Sequence, residues 1–497
     1  MYLFQTHISQ LFYFNYSHIG LPYYGGLKKR INNMGNIKPK ELNSIGYTDN
    51  IAKSIAIETI HKHCKHSSKE EIISVLQNII RYPDKYKTHT IWGKLAEIVS
   101  PFKVEQSSYE LREKSIPYRI FGEDNIDDLA RQQMTTAMQL PVAVAGALMP
   151  DGCAGYGLPI GGVLATTDDI VIPYAVGKDI ACRMCLTILD VEADFIYKNH
   201  DKIVKVLIEN TSFGSDNKPT DGHAHPVFDK SEFQEIPILK KNREKAIRQL
   251  GSSGMGNHFV DICEVELDSE NKMGLPQGRY TAILSHSGSR GLGSEIADFY
   301  TAIAKKTCQL PRQAGPFAWL SLKNEAGQEY WRCMEIAGEY SAVNHNFVHH
   351  RMAKALHLSP LLTISNHHNF AWKETLCDGT KVIIHRKGAT PAHLGELGII
   401  PGSMTSSGFI VSGKGNADSL FSASHGAGRM MSRFDARNSI SRHAMKKVLA
   451  ERGVTLIGGT TEEAPQAYKD IDMVISAQNE LINIEGRILP KIVIMSE

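Results

Sequence analysis

Between about residues 115 and 300 the chain is built of short β-rich runs, among them VAVAGALM, IVIPYAV, CLTILDV and YTAILSH, separated by glycine-rich loops. Apolar β-branched runs bounded by tight turns read as strands, so this stretch carries the sheet of the molecule. Helical periodicity frames it on both sides. From Ile51 to about Arg81 apolar residues recur at helical spacing, and SSKEEIISVLQNIIRYP supplies a serine cap, early glutamates and a closing proline. From Ser294 to about Leu358 the pattern is helical again, through IADFYTAIAKK to NHNFVHHRMAKALHL, which predicts a helical insertion. Beyond it LLTIS, KVIIHRK, GFIVSG and LIGGT are strand-like, and RMMSRFDARNSISRHAMKKVLAERG reads as a helix ending at glycine. Strands and helices interleave without the regular spacing of βαβ units. The expectation is therefore an α+β fold, with one large domain of mixed sheet and surrounding helices over 111–497 and an N-terminal helical segment over 34–110.

Residues 1–33 are aromatic-rich, but Gln5, His7, Gln10 and Asn15 interrupt the apolar run and no basic start precedes it. This is neither a convincing signal peptide nor a membrane span, and Met34 opens more ordinary sequence. It is read as a poorly defined extension without assigned function. A formal net charge of +2 carries no global signature of a nucleic-acid binder, so any such surface must be local. The eight cysteines are spread thinly through a chain too large to need disulfide staples, which points to a reducing cytoplasm.

The phosphate loop GxxxxGK[ST] is missing, and GYGLPIGG, GSSGMGN and GSRGLG all fail the dinucleotide spacing. What recurs instead is a metal-capable side chain beside glycines at the end of a strand-like run. These are Asp179 and Cys182 in VGKDIAC, His258 in GMGNHF, His286 in LSHSGSRG and His368 in ISNHHN. A carboxylate, a thiolate and imidazoles suit zinc, manganese or iron, and a thiolate can bridge two ions. Any one of these histidines alone is more often a hydrogen-bonded core or surface residue. Cys182 and Cys185 form a C-x-x-C, but no second pair follows at zinc-ribbon spacing, and Cys185 is read as buried.

A last constellation is SASHGAGRMMSR, from Ser422 to Arg433. Read as a glycine-rich turn entering a helix, it makes an anion site at the helix start, with Arg429 and Arg433 on one face and His425 at its mouth as a nucleophile toward phosphorus. The alternative is that the two arginines pair with nearby acids and the glycines merely turn the chain.

In order, MPDGCAGYGLPIGG, VGKDIAC, GNHF, HSGSRGLG, HHN, RKGATPA, IIPGSM, SHGAGRMMSR and EAPQAYKD resemble the successive motifs of the RtcB-type RNA ligases, from about residue 115 to the C-terminus. The resemblance implies an enzyme that joins RNA 3'-phosphate or 2',3'-cyclic phosphate ends to 5'-hydroxyl ends with GTP and two Mn2+ ions, in RNA repair or tRNA splicing, with an archease-type activator as a possible partner. It implies Cys182 as the bridge between two ions, one also held by Asp179 and His258, the other by His286 and His368. His425 would carry GMP. Asn257, His258, Phe259, Asp261, His368, Asn369, Pro401, Gly402, Ser403, Met404, His425, Gly426, Ala427 and Gly428 would line the nucleotide site, with Tyr468 against the base and Arg429 and Arg433 on RNA phosphate.

The chain departs from the family pattern at Cys153, where histidine is usual, and at Asp261, where glutamate is usual. Thr405 and Gly408 replace glycine and serine, and IVIMSE ends the chain where a lysine is usual. Three other readings stand beside the ligase. One is a guanylyltransferase that caps 3'-phosphates, another a two-metal cyclic phosphodiesterase with His425 as general acid, and the third a non-catalytic RNA-binding protein.

Overall fold

The computed structural model describes residues 37–497 apart from 48, 66, 100–105 and 215–224, so the expectation for 1–33 lies outside the described residues. The chain divides into two compact units, Met1–Val104 and Glu105–Glu497.

The described residues of the first unit are helical. Asn50–His63 is capped by the Asp49 carboxylate, and Lys69–Arg81 opens on a reciprocal box in which Ser68 accepts from Glu71 N and the Glu71 side chain accepts from Ser68 N. Ala52, Ala56, Ile60, Ile72, Leu76, Ile79, Trp92 and Leu95 close a core of their own.

The second unit is a mixed helix and sheet structure, as the interleaving predicts. Its large sheet has eight strands: β1 (Arg183–Glu192), β2 (Phe259–Leu267), β3 (Gly278–Ser287), β4 (Pro360–His367), β5 (Leu397–Ile400), β6 (Gly408–Gly413), β7 (Thr455–Gly458) and β8 (Ile482–Met495). They lie in the order β4-β1-β3-β2-β8-β6-β5, and β7 adds parallel to β8. Side chains alternate across it. Val260, Ile262, Ile283 and Ile492 pack on one face against Ile203 and Leu207 of the helix His200–Asn210 and Val348 and Met352 of the helix Glu325–Leu356. Cys263, Val265, Leu267, Met184, Leu186 and Leu284 fill the other face.

A second sheet of five strands runs Asn369–Thr375, Lys381–Lys387, Ile160–Thr167, Ala143–Cys153 and Arg119–Ile120. Its core draws Val163, Ala165, Val382 and Ile384 together with Ala423, Ala427 and Ile475. The chain passes from one sheet to the other at His368, the single residue between β4 and Asn369–Thr375. Among the described residues no helix is long and apolar enough to cross a membrane.

Candidate metal centre and nucleotide site

Register alone gathers four metal-capable residues. β1 and β2 run antiparallel to β3, with Met184 and Phe259 both opposite His286, and β4 runs antiparallel to β1, with His367 opposite Arg183. The residues just before β1 and β2, near the end of β3 and just after β4 therefore meet at one edge of the sheet. These are Cys182, His258, His286 and His368. Asp179 enters on the turn before Cys182. Ala181, between them, is held in the left-handed region (φ 57°), its N–H donating to Asn369 O at 2.7 Å and its carbonyl accepting from Ser341 Oγ at 2.8 Å. A strained non-glycine residue fixed on both sides is a common way to aim a functional side chain.

The Cys182 Sγ lies 3.3 Å from His258 Nε2 and 3.1 Å from His286 Nε2. His258 Nε2 is 3.0 Å from Asp179 Oδ2, and the Nε2 atoms of His286 and His368 face each other at 3.3 Å. Two ligand groups result, Asp179–Cys182–His258 and Cys182–His286–His368, each with its donor atoms within 4.8 Å of one another and sharing the sulfur. The donor set fits a pair of cations. His286 Nδ1 is 2.9 Å from the Asn257 carbonyl, so its proton belongs there and Nε2 turns a lone pair into the cluster. Two imidazole nitrogens at contact distance with no protein donor between them are what an ion would bridge.

Burial sets the charge states. Burial, reinforced by His258, pushes the His286 imidazole down to about 3, and burial with His425 lowers His368 well below the usual range, so both are neutral ligands at pH 7. Burial and then Asp179 push the Cys182 thiol up. A bound cation reverses that preference by coordinating the thiolate. Burial alone would raise the Asp179 carboxyl, but His258, the Cys182 hydrogen bond and His286 hold it at about 2.

His425 faces this centre from the second sheet. It follows Ser422–Ser424, a short strand paired with Ala389–Pro391, and its ring centroid is 4.9 Å from that of His368. Asp151, fully buried on Ala143–Cys153, accepts both the His425 backbone N–H at 3.0 Å and the ring Nδ1–H at 2.6 Å through the same oxygen. Nδ1 is thereby taken up by Asp151, and Nε2 is the ring nitrogen left for the cleft that His425 lines. This carboxylate was not among the residues singled out from sequence, although MPDGCAGYGLPIGG contains it; an aspartate between proline and glycine is an ordinary turn signal, and its partner is 274 positions away.

The reading of SASHGAGRMMSR as a turn entering a helix is corrected. Residues 425–432 form a loop, and the helix begins only at Arg433, where Ser432 caps it by accepting from Asp435 N. Gly428 has φ 73°, and a Cβ there would stand 2.2 Å from the Asp151 carbonyl oxygen, so the loop is pressed on the Asp151 strand and cannot coil. The helix of this segment therefore does not start at His425. Arg429 and Arg433 do not share a helix face either. The acid-pairing alternative holds: Arg429 Nη1 donates to Glu463 Oε2 at 2.9 Å and Arg433 Nε to Glu463 Oε1 at 3.0 Å, with the Tyr468 hydroxyl on the same carboxylate. Arg433 also reaches Asn257 Oδ1 at 3.3 Å. The helix expected over the following residues is two, Arg433–Ser439 and Arg442–Glu451, the second capped by Ser441.

Two adjoining cavities share Asn257. The first is lined by Asn257, Phe259, Asp261, Pro401, Gly402, Ser403, Met404 and Tyr468, by Gly408, one of the positions that depart from the family pattern, and also by Leu284, Glu463, Ile488, Pro490, Val493 and Met495, which sequence reasoning did not assign to it. Asp261 points from the apolar face of β2; burial pushes its carboxyl well above the usual range, and its Oδ1 has no partner. The second, open cleft holds Asp179, Cys182, His258, His286, His368, Asn369, His425 and Arg433, and adds Lys178, Arg290 and Gly388. Gly426, Ala427, Gly428 and Arg429 line neither; Ala427 is core, and Arg429 is spent on Glu463 and the Glu462 and Met431 carbonyls.

A third grouping, Cys185 with His345 and His349, also brings donors within 4.8 Å. Its histidines are already satisfied. His345 Nε2–H donates to Ser287 O at 3.1 Å, so Ser285 Oγ–H donates to His345 Nδ1 and accepts from His349 Nε2–H, both at 2.6 Å, and Thr187 Oγ1–H donates to His349 Nδ1 at 2.8 Å. This is a buried hydrogen-bonded chain behind β3, and Cys185 is the buried residue that was expected.

Comparison with known proteins places the chain in a family. The family model described as tRNA-splicing ligase RtcB matches residues 133–237 and 228–496. The RNA-splicing ligase RtcB of Escherichia coli is 30% identical over 387 residues, covering 71% of this chain and 91% of the relative. The tRNA-splicing ligase RtcB of Thermococcus kodakarensis is 26% identical over 478 residues, 80% of this chain and 99% of the relative. The RNA-splicing ligase RtcB of Mycobacterium tuberculosis is 30% identical over 430 residues, 72% and 98%. Each matched stretch is long enough to include the sheet edge, the His425 loop and both cavities, and the chain belongs to the RtcB family.

Proposed function

We propose that this protein is a GTP- and Mn2+-dependent RNA ligase that joins 3'-phosphate or 2',3'-cyclic phosphate ends to 5'-hydroxyl ends through a histidine–GMP intermediate, acting in the cytoplasm in RNA repair or tRNA splicing. The observation that carries the reading is the Asp151–His425 pair, which takes up Nδ1 and leaves Nε2 for the cleft that His425 shares with the shared-thiolate cluster. Asp179, Cys182 and His258 would hold one ion and Cys182, His286 and His368 the other, supplying charge stabilisation at phosphoryl oxygens. His425 Nε2 forms a bond to the α-phosphorus of GTP as the bond to pyrophosphate breaks, while Asp151 keeps the Nδ1 proton and faces the cationic ring. The GMP then passes to the RNA 3'-phosphate, freeing His425, and the 5'-hydroxyl displaces GMP to close the phosphodiester. A cyclic end is first opened by water. The base sits in the cavity of Phe259, Asp261 and Met404, and Arg433 meets RNA phosphate at the cleft. An archease-type partner would act on this cycle as an activator.

Incubation with α-labelled GTP and Mn2+, then denaturing electrophoresis, tests the reading. Label on the wild type that vanishes in His425→Ala supports it. Turnover of cyclic phosphate without nucleotide and without label would favour the phosphodiesterase, and accumulation of capped RNA beside a 5'-hydroxyl partner would favour the guanylyltransferase.

A further inference from the structure

Two of the most exposed large side chains of the second unit belong to segments that reach the cleft. Tyr156 is 78% exposed and Phe434 is 75% exposed. Tyr156 lies on the loop between Ala143–Cys153 and Ile160–Thr167, and its carbonyl accepts from Lys387 Nζ. The Lys178 ammonium, held by Asp298 at 2.9 Å, also feels the phenols of Tyr174 and Tyr156. Lys178 lines the cleft. Phe434 directly follows Arg433, whose guanidinium reaches Asn257 at the cleft.

Lys178, Arg290 and Arg433 line the cleft with Asp179, while Asp298 pairs with Lys178 and Glu463 with Arg433, so the excess of positive charge there would come from the two cations of the cluster. A cationic groove flanked by aromatic faces left open to water matches a single-stranded nucleic acid. Its phosphates follow the cations and its bases stack on the rings, whatever their sequence. A paired terminus keeps its base faces inside its own stack and cannot use such rings.

We infer that Tyr156 and Phe434 are stacking platforms for unpaired nucleobases next to the RNA ends, so that the cleft selects single-stranded termini over paired ones. The inference rests on the reading of the cleft as an RNA site. The phenol hydroxyl plays no part in it, and a phenyl ring at 156 serves as well.

The test is fluorescence anisotropy of the full chain, loaded with Mn2+, on two labelled hairpins bearing a 3'-phosphate, one ending in a short single-stranded tail and one blunt. Wild type binds the tailed hairpin more tightly. Tyr156→Ala and Phe434→Ala each weaken the tailed hairpin by about five- to one-hundredfold, leave the blunt one unchanged, and Tyr156→Phe restores binding. Equal affinity of wild type for both hairpins, equal losses on both in the alanine variants, or failure of Tyr156→Phe to restore binding would overturn the inference while leaving the cleft an RNA site. Binding of neither hairpin by wild type would refute the RNA site itself.

Discussion

Replacing Asp151 by asparagine separates the charge behind His425 from its geometry. One carboxylate oxygen accepts both the ring Nδ1–H at 2.6 Å and the backbone N–H at 3.0 Å, and the side chain is wholly buried. An amide oxygen has the same reach, so the ring stays in place with Nε2 outward. The negative charge facing an imidazole that turns cationic on bonding to phosphorus is what disappears. Hydrogen bonds to charged groups contribute about 1.5–3 kcal/mol against about 0.5–1.5 for neutral ones. The difference, about 1–2 kcal/mol, is widened by burial, because little solvent screens the pair. At about 1.4 kcal/mol per decade, nucleotidylation should slow by at least about five- to thirtyfold. Single-turnover labelling with α-labelled GTP measures it, with metal content and melting temperature as controls expected to stay at wild-type values. A rate within about threefold of wild type, with both controls intact, would show that the charge of Asp151 does not act on the reacting ring.

Cys182→Ala should lose both ions, because the sulfur is common to the two ligand groups; plasma mass spectrometry that still finds two ions per chain would refute the bridge. Gly254→Ala should cost metal rather than fold, since its Cβ would lie 1.6 Å from His258 Nδ1 and must expel that ring; unchanged Mn2+ content would contradict the placement. Glu463→Gln should lower stability by about 3 kcal/mol, the low end for breaking a buried pair because Arg433 is half exposed, and urea unfolding checks it. Burial raises the Asp261 carboxyl in the folded state, so below its unfolded value of about 4 both states are neutral and the group costs nothing. As pH rises above that value the folded state resists ionisation and is destabilised. Asp261→Asn should therefore match wild type near pH 4 and exceed it increasingly toward pH 7 in urea titrations without ligands, and a pH-independent difference would contradict the burial argument.

The metal-capable residues were legible because each falls at the end of a strand-like run, with glycine two positions from Asp179, His258 and His286. Their mutual distances were not, since these depend on register between strands separated by about a hundred residues, such as Met184 opposite His286. The helix start at His425 was misread for a local reason: the glycines suggested a turn into a helix, but the capping serines, Ser432 with Asp435 three residues on and then Ser441, decide where helices begin. Asp151 and Glu463 escaped notice because a carboxylate shows its role only through its partners. Those partners, His425 and the pair Arg429 and Arg433, come from remote segments. The α+β class, in contrast, follows from irregular alternation of strand and helix patterns, which needs no long-range information.

The account stands on His425 as the atom that takes the nucleotide. Wild type and His425→Ala, each loaded with Mn2+ and incubated with GTP, should be digested and the peptide spanning residues 422–433 weighed under conditions that preserve phosphoramidates. A gain of one GMP on that peptide in wild type, absent from the variant, is the predicted result. An unmodified peptide from a wild-type sample that has joined RNA would contradict it.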